Sequence, residues 1–394
     1  MDSGKLLSTG RMCDFIPIED KMMDYIAERV KCIDASGIRR VWQLAQQMTD
    51  PVNFSIGEPD FPAPEAVKDA AIRAIREDHN GYTLTTGIEP LCKAVAAKIT
   101  EQFNWASPLV LITSGVSGAL QLAFMSTINP GDEVLILDPH FVIYSHIVNM
   151  LGGKNVFVDT YPDFRPDAKK IAEKITDKTK MLVINSPANP SGKVYTPQEL
   201  RDVAQIAAKH KLLVLSDEIY RDFSYDGPAA SIGQYYENTL IMRGFSKAYG
   251  IPGWRMGYMA LPEHQEQLFN RMVALQQYTF VCAPHPFQIA AVTALKCDIS
   301  QQIDGYRRKR DMIYDGLKNT FDLVRPEGAF YAFVPAPGGI AGEFVTAAIK
   351  NNVLIIPGSV FSRQDSHFRI SYTTDDDSIK KGIDRLCRLA EKGW

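Results

Sequence analysis

Six short apolar runs, most of them separated by helix-like stretches, limit the possible folds more than any other feature of this chain. They are Val110–Thr113, Val134–Leu137, Asn155–Val158, Met181–Ile184, Leu212–Leu215 and Thr239–Met242. Runs that stay apolar along most of their length suit strands covered on both faces. The intervening helical patterns are Ser117–Thr127, Phe141–Leu151, Asp167–Ile175 and Pro197–His210. The last carries its own start signal: Thr196 as N-cap, Pro197 at the first helical position and Glu199 three residues after the cap. Alternation at this spacing predicts an α/β architecture with a mainly parallel sheet. Ligands bind such sheets beyond the carboxyl ends of the strands, so the residues that follow each run are the ones to read for chemistry.

The carboxyl-terminal part reads differently. Asp304–Thr320 is a charged amphipathic helix, Ala329–Val334 and His367–Tyr372 read as strands, and Asp376–Lys392 as a final helix. This pattern predicts a smaller α+β domain. Lys21–Gln47 has helical character and is expected to cross over to that part. There is no internal repeat and no low-complexity stretch.

Length and charge narrow the function. At about 150 residues per domain, 394 residues correspond to two or three domains. The 43 basic and 46 acidic side chains leave a net charge of −3, which argues against nucleic-acid binding. No apolar run approaches the ~20 residues of a membrane span, and Met1–Arg11 lacks the apolar centre of a secretory signal. A cytoplasmic protein away from membranes is expected. The six cysteines and seven histidines are scattered, without C-x-x-C or H-E-x-x-H, so no metal is expected.

Five strand ends carry candidate chemistry. Ser114-Gly115-Val116-Ser117-Gly118 is either an ordinary strand-to-helix turn or, with free amides and the Ser117 hydroxyl, an anion site. Phe141, after Asp138-Pro139-His140, is either core or a platform for a stacked ring. Asn185-Ser186-Pro187-Ala188-Asn189-Pro190-Ser191-Gly192 is a stiff loop built around the Asn189 amide. Asp217-Glu218 places two acids against an apolar strand, which is costly unless they are partnered by a metal or a cationic ring nitrogen. Lys247 is an ordinary solvated lysine or, in its glycine-rich loop with Arg255 following, a desolvated Schiff-base nucleophile.

Taken together and in order, these motifs resemble the pyridoxal 5′-phosphate (PLP) aminotransferases of fold type I, class I/II, the aspartate aminotransferase superfamily. The resemblance runs from Ile33 to Leu389. It rests on Asn189-Pro190-Ser191-Gly192, Asp217-Glu218-Ile219-Tyr220, Ser246-Lys247 with Gly253-Trp254-Arg255, and Phe368-Arg369-Ile370-Ser371. Ser36-Gly37-Ile38-Arg39, Ile56-Gly57-Glu58-Pro59-Asp60-Phe61 and Gly81-Tyr82-Thr83 with Gly87 support it. The family implies a large domain with a mainly parallel seven-stranded sheet flanked by helices, at residues 61–286. It implies a smaller α+β domain from 31–60 and 287–394, with 1–30 as an N-terminal extension. It also implies a homodimer with shared active sites.

The resemblance assigns roles residue by residue. Lys247 binds PLP and moves the substrate proton; Asp217 pairs with the ring nitrogen; Tyr220 and Asn189 bond the ring oxygen; Phe141 stacks on the ring. Val116, Ser117, Ser246 and Arg255 hold the phosphate, and Tyr82 reaches the phosphate of the neighbouring subunit. Arg369 takes the substrate α-carboxylate, with Asn189 and Gly57 beside it. Two positions depart from the family pattern: Gly244 stands where many relatives have a phosphate-binding serine, and Cys92 where an arginine is frequent.

Amino acid and 2-oxoacid substrates follow. The segment Gln276–Pro284, where a partner arginine would bind a side-chain carboxylate, has no basic residue. Arg39 and Arg40 are candidate substitutes, while Tyr278 and Phe280 suit neutral or aromatic side chains. Transamination from aspartate to 2-oxoglutarate is the favoured expectation, with aromatic or alanine-type donors next. A PLP-dependent β-lyase or synthase on the same scaffold is the first alternative. A non-enzymatic PLP sensor is disfavoured by the short N-terminal segment, and a cofactor-free binding module by the joint presence of Lys247, Asp217 and Arg369.

Overall fold

The computed structural model describes residues 25–33, 37, 41, 48–103 and 105–393. Each of the six apolar runs forms a strand. In chain order, after a short β1 at Val52–Asn53, these are β2 Leu109–Ser114, β3 Glu133–Asp138, β4 Lys154–Asp159, β5 Thr179–Asn185, β6 Leu213–Asp217 and β7 Thr239–Gly244. A further strand, β8 Met256–Leu261, completes a seven-stranded sheet of order β2-β8-β7-β6-β5-β3-β4. The β3, β4, β5, β6 and β7 pairings are parallel, and β8 runs antiparallel to both β2 and β7.

Both faces of this sheet are covered, as continuous apolar runs require. Val134, Ile136, Met181, Val183 and Leu215 pack on one side with Leu120 and Phe124 of the helix Gly115–Thr127. Leu135, Leu137, Leu182, Ile184 and Val214 pack on the other with Leu200, Val203 and Ala207 of the helix Pro197–Lys209. That helix starts with the predicted capping box: the Glu199 amide donates to Thr196 Oγ1 at 3.2 Å, and the Thr196 amide to Glu199 Oε2 at 2.7 Å. The helix expected over Phe141–Leu151 begins later, at Ile143–Met150. Phe141 therefore stays in the connection at the β3 end, beside the sheet's ligand edge. Four more helices, Glu65–Arg76, Glu89–Phe103, Glu266–Gln277 and His285–Ala294, cover the β2–β8 side.

The carboxyl-terminal part holds β9 Tyr331–Pro335, β10 Val353–Leu354, β11 Ile356–Pro357 and β12 His367–Ser371. β11, β12 and β9 form an antiparallel sheet, against which Leu317, Phe344 and Leu386 of the helices Ser300–Leu317, Ala341–Lys350 and Asp376–Lys392 pack. The final helix has its expected bounds, with Asp375 accepting from the Ser378 amide at 2.8 Å. β1 joins this part, pairing in parallel with β10 as Val52 opposite Val353, and the Ser371 amide donates to the Phe54 carbonyl at 2.8 Å. Of the helical character expected over Lys21–Gln47, Glu28–Lys31 is helical; most of the remainder, with Ser36, Arg39 and Arg40, lies outside the described residues.

Among the described residues no helix is long and apolar enough to cross a membrane, and no three metal-ligating side chains converge. Cys32, Cys92, Cys282, Cys297 and Cys387 are free thiols.

Candidate active site

The carboxyl ends of β5, β6 and β7 open into a cavity of about 200 Å³, closed on its far side by residues around Gly57, Tyr331 and Arg369. β5 ends at Asn185, which organises the loop after it. Its Nδ2 donates to the Asp217 carbonyl at 2.9 Å, and its Oδ1 accepts the Asn189 amide at 2.9 Å. The prolines and Asn185 together return Asn189 to the strand end.

β6 ends at Asp217, which is 2% exposed. Oδ2 accepts the Tyr144 hydroxyl at 2.7 Å and Oδ1 the Ile219 amide at 3.2 Å. Among the described residues no cation pairs with it, and burial pushes its acid up to about 6. Glu218, the next residue, turns away from the cavity. Its Oε2 accepts Arg243 Nε at 2.9 Å and Nη2 at 2.7 Å, while Oε1 accepts Ser216 Oγ at 2.9 Å and also Ser231 Oγ. The two acids thus do not share one ligand. Tyr220 is buried, with its hydroxyl 2.8 Å from that of Tyr331. Burial first, then Tyr331, holds it un-ionised.

Lys247 Nζ donates to the Gly57 carbonyl at 2.7 Å. Burial pushes its ammonium down to about 8; nearby Arg369 and Arg255 act in the same sense, and Glu58 opposes them. Gly57 admits no side chain, because a Cβ there would lie 1.8 Å from Tyr331 Oη. Arg369, on β12, is 1% exposed. Its guanidinium lies between the Tyr331 and Phe361 rings, 4.6 Å from each centroid. Nη1 donates to Asn189 Oδ1 at 3.1 Å and Nη2 to the Ser55 carbonyl at 2.6 Å, while Nε is buried without a partner among the described residues.

At the other end lie the first residues of the helix Gly115–Thr127, with Ser246 and Arg255. Gly115 has φ +66°, and a Cβ there would meet Arg255 Nη2 at 2.7 Å. Arg255, itself left-handed at φ 57°, donates from Nη1 to the Pro252 carbonyl at 3.0 Å. This end joins helix amides, hydroxyls and a guanidinium, the donor set an anion needs.

Of the cofactor and α-carboxylate residues assigned from the family resemblance, the cavity gathers all but one: Gly57, Val116, Ser117, Phe141, Asn189, Asp217, Tyr220, Ser246, Lys247, Arg255 and Arg369 line it, whereas Tyr278 and Phe280 are exposed elsewhere and Arg39 and Arg40 lie outside the described residues. The assigned residue that does not line it is Tyr82. It is 85% exposed, on a loop held by Gln276 Nε2 to the Thr85 carbonyl (2.7 Å) and Gln288 Nε2 to Thr83 Oγ1 (3.1 Å). Gln288 also donates to the Ala283 carbonyl at 2.8 Å, tying this loop to the segment that exposes Tyr278, Phe280 and Val281. Tyr144, Tyr331 and Asn185, to which the sequence assigned no role, also line the cavity. Tyr144 lies three residues beyond Phe141, and its ring meets that of Phe141 edge-on at 5.9 Å.

The family model for aminotransferases of class I and II matches residues 49–386. A probable aspartate aminotransferase of Methanocaldococcus jannaschii is 36% identical over 377 residues, covering 93% of this chain and all of the relative. Aromatic-amino-acid aminotransferase 2 of Thermococcus litoralis is 34% identical, covering 93% of this chain and 98% of its own. Among solved structures, a double mutant of Thermus thermophilus aspartate aminotransferase superposes with a TM-score of 0.87 at 32% identity, covering 93% of this chain and all of the other.

Proposed function

The chain belongs to the class I and II aminotransferases, which are PLP-dependent transaminases, and on that premise we propose that aspartate is its favoured amino donor and 2-oxoglutarate its acceptor. The observation that carries an amino-acid and oxoacid substrate is Arg369. A buried guanidinium, stacked between two rings and with an Nε that has no partner among the described residues, is a ready carboxylate site beside Lys247. Aspartate is favoured because several relatives carry that name.

The residues fit PLP. Asp217 is a buried acid without a cationic partner among the described residues, which a protonated ring nitrogen would supply, and the Gly115 and Arg255 end offers donors to a phosphate. When bound, PLP supplies an aldehyde for the amino group and a cationic ring that takes up the electron pair released at the substrate α-carbon. In our assignment Lys247 Nζ bonds the cofactor and, once neutral, moves the proton at that carbon; its lowered ammonium pKa suits both tasks. Asp217 keeps the ring nitrogen protonated. Tyr220 and Asn189 orient the ring oxygen, and Phe141 covers a ring face. Val116, Ser117, Ser246 and Arg255 bind the phosphate, with Ser246 standing in for the serine absent at Gly244. Gly57 lets the backbone approach the substrate.

Further parts of the proposal concern assembly. The exposed Tyr82, Leu84, Tyr278, Phe280 and Val281 form an apolar surface that suits a second copy of the chain, with Tyr82 completing the partner's phosphate site. We divide the chain into the large and small domains expected from the family. The packing of His285–Ala294 on Glu65–Arg76 favours a boundary nearer Ser300 than Pro286. We also assign the enzyme to the cytoplasm.

A panel of amino donors with 2-oxoglutarate, read by glutamate formation, tests the substrate assignment. Aspartate is expected to give the highest kcat/KM. A faster aromatic or alanine-type donor would overturn it, and ammonia in place of glutamate would mark elimination. Borohydride reduction of the yellow protein should fix the cofactor on Lys247, and fixation elsewhere would remove that lysine from the site.

A further inference from the structure

Asp217 sits in a cavity that offers it almost nothing to hold. Among the described residues its side chain receives two hydrogen bonds: the Ile219 amide on Oδ1 at 3.2 Å and the Tyr144 hydroxyl on Oδ2 at 2.7 Å. The second is shorter and comes from a residue that is itself 1% exposed, on the helix Ile143–Met150. A hydroxyl that donates to a carboxylate favours its ionised form and fixes its direction. We propose that Tyr144 is a positioning residue for the cofactor: it holds Asp217 ionised and aimed so that the carboxylate bonds the protonated ring nitrogen.

The surroundings leave this task to Tyr144. The charged and titratable groups around Asp217 are few. Glu218, beside it in sequence, is turned away onto Arg243, Ser216 and Ser231. Tyr220, three residues on, shares a hydroxyl–hydroxyl bond with Tyr331. Tyr195, which lies near Tyr144, is likewise un-ionised. Lys247 bonds the Gly57 carbonyl and Arg369 bonds Asn189 and Ser55, so neither cation reaches Asp217. Tyr144 is thus the one side-chain donor to the Asp217 carboxylate among the described residues. Its phenol stays protonated, because burial and the adjoining carboxylate both raise its pKa, so the bond persists across the working pH range.

The inference rests on the pairing of Asp217 with the ring nitrogen, and the test separates the two. Affinity for PLP and for the analogue with carbon in place of the ring nitrogen is measured by absorbance titration of the protein, its Tyr144→Phe and Tyr144→His variants, and Asp217→Asn. Tyr144→Phe should weaken PLP binding about tenfold while changing analogue binding less than twofold, and should shift the pH titration of the bound chromophore. Tyr144→His, which can keep a donor, should recover part of the lost affinity. Equal losses for PLP and the analogue in Tyr144→Phe overturn the proposal, because a packing defect does not distinguish the two molecules. If Asp217→Asn fails to discriminate between them, the assignment of Asp217 itself falls. If it discriminates and Tyr144→Phe does not, only the Tyr144 proposal falls.

Discussion

Asp217 and Glu218 are consecutive, both nearly fully buried, and opposite in circumstance. Glu218 faces the back of the strand end, where Arg243 and two serines fill its lone pairs. Asp217 faces the cavity, where two donors reach it and no cation does among the described residues. A strand end turns neighbouring side chains to opposite faces, so one dipeptide serves two purposes. On one face a charge is neutralised within the fold. On the other it is left short of a partner that must come from outside. Burial depth therefore does not separate a structural acid from a functional one, whereas the completeness of its bonding does.

Substitutions on the two faces should fail in different ways. On the cavity face, Lys247→Ala should lower kcat by at least about 10⁴-fold with the melting temperature little changed, as single-turnover kinetics and calorimetry would report. A variant that retains wild-type turnover would remove Lys247 from the chemistry. On the back face, Glu218→Ala should destabilise the protein by about 3–5 kcal/mol, because it leaves Arg243 buried and unpaired. Urea unfolding measures this, and a loss below about 1 kcal/mol would erase the contrast. Arg369→Ala should raise KM for the amino donor about 50-fold, a loss typical of charge-assisted bonds, with a smaller effect on kcat.

The smallest effects are in the pH dependence of the cofactor-stripped protein. Asp217 has a folded pKa of about 6 against an ordinary 3.8, so the folded state binds its proton more tightly. Its contribution to stability falls as pH rises between these values, and the penalty is complete above about 6. Asp217→Asn should therefore raise the melting temperature by about 1–3 °C at pH 7 and leave it unchanged near pH 3.5. Lys247 has the opposite sign: with a folded pKa of about 8 against 10.5, its penalty is complete below pH 8 and fades toward pH 10.5. Lys247→Met should stabilise at pH 7 and do nothing near pH 11. A gain independent of pH would show that repacking, not charge, is responsible.

Much of this was legible in the sequence, for identifiable reasons. The sheet was readable because strands covered on both faces leave continuous apolar runs, and Thr196-Pro197 with Glu199 announced its helix. β8 was less legible: Gly257 interrupts Met256–Leu261, and only the short 3-10 turn Pro252–Trp254 separates the strand from the lysine loop. Glu65–Arg76 escaped because its buried face is Val67, Ala70, Ala71 and Ala74, and alanines make a weak apolar stripe. In the site, Lys247, Asp217 and Arg369 stood out as charges next to apolar strands. Tyr144 and Tyr331 did not, because a tyrosine in an apolar stretch reads as core until the fold shows what its hydroxyl meets. Tyr82 resembles a family site residue, yet within one chain the structure gives it only an exposed position.

The path of the chain through the cavity has a consequence for synthesis. The phosphate end and the Asp217 end use residues from Gly115 to Leu261, all in one sheet and its connections. The carboxylate end needs Ser55, Tyr331 and Arg369 together, and β1 has no parallel partner until β10 exists. On the ribosome, the elements that meet the cofactor are therefore complete about a hundred residues before Arg369 is joined to the chain. The amino-terminal segment waits for nearly the whole length of translation before the arginine that reads the substrate arrives beside it.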